Sequence, residues 1–308
     1  MGVVQIISYI GVLVFLVATL SKIIRVARMP VHLRWELYPV PHEKGKAHYG
    51  GSKMEESRFW EKETEKDHLN EIKEMGKEIL FLKAVWEHNR KLWVGSFPFH
   101  FSLYMMITNI VLLLFAAILS LNGIEIRSDA AGFWGFYYYF IYVIAWVSSI
   151  IGLIGLIRVF FLRIVDVALK NYSNASHYFN IIFIGAINFT LLLWLINDPN
   201  VIDNLIGFYK SLIIFSLSPV LSWYASAHIV IASLFMLYLP FTHMSHMYMK
   251  YFLYHLVRWE DEDMKPGSKL SRAIGEQLAY PVTWSAAHIK GDGKKTWADI
   301  VSEIPEED

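Results

Sequence analysis

The chain has 308 residues, 55% of them hydrophobic and 16% aromatic, with 28 basic side chains against 28 acidic ones and no cysteine. That composition excludes disulfides and any thiolate-held iron–sulfur cluster, and the even charge balance gives no basis for nucleic-acid binding. So apolar a chain reads as a membrane protein, in which each helical crossing takes roughly 20 apolar residues.

Five runs are long enough, at about 3–24, 99–121, 136–161, 178–197 and 220–247. The expected fold class is all-α: an integral membrane five-helix bundle with its N-terminus outside and its C-terminus cytoplasmic. The first run is expected to stay in the protein, because it is long, has no basic segment before it and lacks a small-residue cleavage site. Residues 1–25 are thus the first transmembrane helix and 26–98 a cytoplasmic loop. Residues 99–250 form a four-helix membrane core, and 251–308 a cytoplasmic tail.

The orientation comes from Lys and Arg. Arg25, Arg28 and the Lys-rich 44–91 segment follow the first run; Arg158, Arg163 and Lys170 join the third to the fourth; Lys250, Arg258 and Lys265 follow the fifth. The other two connections carry only Arg127 and Lys210, which places them outside. Within the loop, Pro39, Pro41 and Gly50-Gly51 mark turns. Leu69, Ile72, Met75, Ile79, Leu80, Leu82 and Trp86 then recur at helical spacing, as an amphipathic helix at the membrane surface, against a partner, or simply solvated on one face. "NLIGFYKSLIIFSLSP" is short and ends at Pro219, and predicts an interfacial or partly re-entrant helix over 203–218. The segment "YPVTWSAAHIKGDGKKTWADI" is expected to drape on the domain or on a neighbour.

His228 and His246 stand in the oily fifth run, eighteen residues apart. In an unbroken helix that is five turns, which puts both rings on one face about 27 Å apart. A buried imidazole without a partner is costly, and a haem b held by two histidines on facing helices accounts for such residues. His100 begins the second run at the level where the fifth ends, so His100 and His246 can meet across one haem; the bland reading is two interfacial histidines reaching water. His228 leaves three readings: a second haem with an unusual or exogenous second ligand, a hydrogen bond to quinone, or a paired core histidine. His177 starts the fourth run, as a haem-propionate partner or a helix cap. His243 and His246 are close enough for zinc only if further ligands join them. His32, His42, His48, His68, His88, His255 and His288 read as surface or interface residues.

The stretches "FHFSLYMMITN" and "HIVIASLFMLYLPFTHMSH", with Pro240-Phe241 between the fifth-run histidines, resemble the dihaem b-type gamma subunit of respiratory nitrate reductase over residues 95–250. "MPVHLRWELYPVPHEKG", "YGGS" and "FLKAVWEHNRKLW" extend the resemblance over most of the chain. The closer likeness is to the membrane cytochrome b subunits of sulfate-reducer electron-transfer complexes, tied to sulfite reduction and tetrahaem cytochrome c. The resemblance implies haem b ligated by His100 and His246, with His228 as one ligand of an outer haem. The family's second outer ligand falls on Ile110 here, a departure from the pattern. It further implies menaquinone, a cytoplasmic heterodisulfide-reductase-like iron–sulfur subunit, further membrane or periplasmic cytochrome c subunits, and the inner (cytoplasmic) membrane. By analogy the quinone site lies first on the outer side near His228, and second near His177. The expected function is an electron-transfer subunit of an anaerobic respiratory complex, passing electrons between menaquinol and that partner. The readings from other classes are an intramembrane proton-relay transporter and a haem-free membrane anchor.

Overall fold

The computed structural model describes residues 2–30, 34, 40–63, 65–262, 264–286 and 288–303. His32 and Pro39 lie outside the described residues. Twelve α-helices form among them in chain order: α1 (Val3–Ala27), α2 (His68–Leu80), α3 (Lys83–His88), α4 (Arg90–Leu121), α5 (Phe133–Val165), α6 (Val167–Asn171), α7 (Ala175–Asn197), α8 (Val201–Ile213), α9 (Trp223–Tyr238), α10 (His246–Leu253), α11 (Lys269–Leu278) and α12 (Trp297–Ser302). Two compact units result, Met1–Thr19 with Ile72–Met244, and Leu20–Glu71 with Ser245–Asp308.

The first unit is an all-α bundle. The helices α1, α4, α5 and α7, and α9 with the turn that carries it on to Phe241, are each long and apolar enough to cross a membrane; this is a multi-pass membrane protein. Leu13, Phe136, Ile154, Ile182 and Ile196 are all more than half exposed, since lipid tails solvate them as well as a core would. With no hydrophobic force between helices in lipid, close backbone contact and interhelical hydrogen bonds hold them together. Gly155 faces the backbone of Phe99 and Gly95 across α4 and α5, where a Cβ would collide. Tyr137 Oη donates to the Leu112 carbonyl at 2.8 Å. Ser8 and Ser233 share a hydrogen bond of 2.8 Å between α1 and α9. At one end Leu113, Ile141, Leu191, Trp194, Ile202 and Ile206 form a continuous core.

Two local outcomes differ from the sequence reading. The amphipathic segment is two helices, broken where Leu82 takes a left-handed φ of 53°. The expected short helix does form, as α8, and buries Val201, Ile202, Leu205, Ile206 and Phe208 in the bundle. The fifth run is not one helix: α9 ends at Tyr238 and 3-10 turns occupy Leu239–Phe241 and His243–Ser245. Pro240 supplies no N–H and its ring opposes the preceding turn, so the ladder cannot pass through it.

The second unit is held by polar pairs. Arg34 and Glu43, both nearly fully buried, bridge at 2.6 Å, and Ser52 Oγ donates to the same carboxylate at 3.0 Å. His42 Nε2 meets Asp261 Oδ2 at 2.7 Å, and His255 Nε2 meets Glu71 Oε1 at 2.5 Å. His42 and His255 are therefore not surface histidines; each anchors the loop to the tail. His48, His68, His88 and His288 are exposed. The tail segment packs on itself, with Val282 buried and Trp284 against Trp297.

Candidate functional site

His100 sits in the first turns of α4. Its Nδ1 lies 2.7 Å from the Ser96 carbonyl oxygen. A carbonyl only accepts, so Nδ1 carries the proton and Nε2 keeps its lone pair. That is the tautomer a metal ligand needs, fixed by the second-nitrogen bond that orients ligating histidines.

His228 reaches the same state by another route. Its Nδ1 is 3.2 Å from Thr190 Oγ1 of α7, with the Trp194 ring alongside at 5.9 Å. The Thr190 hydroxyl hydrogen is directed to the Ala186 carbonyl at 2.8 Å. The hydroxyl therefore accepts from Nδ1–H, and His228 Nε2 is again the nitrogen with a lone pair. Thr190 escaped the sequence reading because no spacing rule links it to a residue 38 positions away.

His246 is the first residue of α10 and belongs to the second unit. With the helix broken at Pro240, five-turn spacing no longer sets the relation of His228 to His246. Ile110, the position of the family's second outer ligand, is 42% exposed on the outside of α4, while Asn109 is turned inward. The Oδ1 atoms of Asn109 and of Asn188 are buried without a hydrogen-bond donor. Asn188 Oδ1 lies over Gly152, close enough that a Cβ there would overlap it.

His177 is a helix cap: Asn174 Oδ1 accepts from its backbone N–H at 3.3 Å, and its Nδ1 accepts from Asn174 N at 3.1 Å. Its ring also lies 4.8 Å from that of His243. Among the described residues no three His, Asp or Glu side chains gather as a metal-ion cage. A haem asks for only two protein ligands, and the ring chemistry of His100 and of His228 each fits one ligand position, on separate haems. Comparison with family models, with curated proteins and with solved structures finds no match to this chain.

Proposed function

We propose that the chain is a b-type cytochrome subunit of an anaerobic respiratory complex in the cytoplasmic membrane. It carries electrons between menaquinol and a cytoplasmic iron–sulfur partner of the heterodisulfide-reductase type, with c-type cytochrome subunits as further partners. The observation that supports this best is the His100 Nδ1–H bond to the Ser96 carbonyl, the kind of bond that orients ligating histidines. His100 and His246 are the proposed axial pair of haem b, with His228 the candidate for a second haem. Bound haem would supply one-electron transfer. The chain's residues orient the imidazoles, exclude water and hold the ligand tautomers. Having no cysteine, the chain leaves any iron–sulfur cluster to its partner.

The proton-relay reading is weakened by the spans themselves, none of which contains Asp or Glu. A pyridine haemochrome assay on purified protein tests the rest. A haem-to-protein ratio of about one or two is expected, with one haem lost in His100→Ala. A colourless protein would leave a haem-free anchor.

A further inference from the structure

The end of the bundle where α7 begins and α9 stops carries polar side chains from both helices. Tyr238 Oη donates to Asn180 Oδ1 at 2.9 Å. Asn180 Nδ2 lies 3.4 Å from His243 Nδ1, and the His177 ring flanks His243. Asn180 is buried, whereas His243, thrown out of the helix by the turn after Pro240, is exposed.

Beside this cluster stands an aromatic wall. Phe179 and Phe183 pack against Tyr238 with ring centroids at 5.5 and 5.7 Å, and Phe183 meets Phe235 at 5.3 Å. Phe179 is 51% exposed, and the apolar flank continues through Ile182 and Leu234, both exposed to lipid. The hydrogen-bonding atoms here belong to imidazole, amide and phenol. They suit a neutral ligand better than an anionic lipid phosphate, which selects Lys and Arg.

We propose that this cluster is the head-group site of a membrane quinol, an inference that rests on the quinol-linked function above. The quinol oxygen accepts from the ring N–H of His243, its ring lies against Phe179, and its apolar tail follows the outside of α7 and α9. Tyr238 acts as a positioning residue through Asn180.

The test is binding of 2-heptyl-4-hydroxyquinoline N-oxide, a fluorescent quinol analogue, to the full chain in lipid nanodiscs. Haem content and unfolding temperature are recorded for every variant. His243→Ala is expected to weaken binding about tenfold, as for one lost hydrogen bond. Tyr238→Phe is expected to weaken it about threefold, since it only loosens Asn180. If His243→Ala does not fold, Tyr238→Phe decides. Probe binding that neither variant alters would overturn this site while leaving the quinol reading intact. A haem-containing parent that does not bind the probe would overturn the quinol reading and this site with it.

Discussion

Asp261 carries the clearest electrostatic signature outside the membrane. Burial works against its charge, but the His42 hydrogen bond and the nearby charges of His42, Lys66 and Lys53 outweigh that and hold the carboxyl at about 2, below the ordinary 3.8. A depressed carboxylate stabilises the fold fully above its unfolded value and stops doing so as pH falls through its folded one. The Asp261 contribution, about 2 kcal/mol, is therefore expected whole above about pH 4 and gone near pH 2. Asp261→Asn should lose it at neutral pH, seen as faster hydrogen exchange around His42, with parent and variant converging in acid. Within the bundle, His228 faces two acceptors, the Thr190 hydroxyl and the Ile187 carbonyl. Thr190→Val removes the first and should lower the unfolding free energy by about 1 kcal/mol, whereas Thr190→Ser should not. An unchanged Thr190→Val protein would mean that the Ile187 carbonyl alone holds the His228 proton.

At the scale of elements, glycines separate close contact from mere permissiveness. A Cβ at Gly152 would meet Asn188 and Ser102, whereas one at Gly185, on α7, would meet nothing. Gly152→Ala is expected to destabilise by about 1–3 kcal/mol through overpacking. Gly185→Ala should be neutral or stabilise by up to about 1 kcal/mol through helix propensity. Thermal unfolding in detergent reads both. The spans themselves were legible because hydropathy records partition into lipid directly. Their interruptions were harder to read. Pro240 is visible in the sequence, yet an apolar run flows through it, and tertiary context allows some prolines inside helices, as Pro98 in α4 shows. The break at Leu82 has no signal of its own, since a leucine in a left-handed conformation is imposed by its surroundings.

For the whole molecule, the absence of cysteine makes the proposed orientation directly testable. Ser128→Cys, in the exposed connection before α5, should react with an impermeant maleimide added to intact cells. Gln277→Cys, exposed on α11, should react only after the membrane is opened. The reverse pattern would invert the protein. At this scale the sequence exposed the five crossings and the few histidines within them, and it could not expose pairings between distant positions. His42 and Asp261 are 219 residues apart, and nothing local to either marks the other. Tyr238 and Asn180, 58 apart on different helices, were equally silent.

The separations inside the second unit also order its assembly in time. The Arg34–Glu43–Ser52 knot closes within 18 residues and can form as soon as that stretch leaves the ribosome. His42 and Glu71 must wait until four more crossings are synthesised before Asp261 and His255 exist to meet them. Through most of translation the loop is a half-finished structure holding its own buried charge pair, with its last two fastenings still unmade. A chain that stops before its tail would lack both fastenings, so the loop reaches its final form only when the last fifth of the sequence is made.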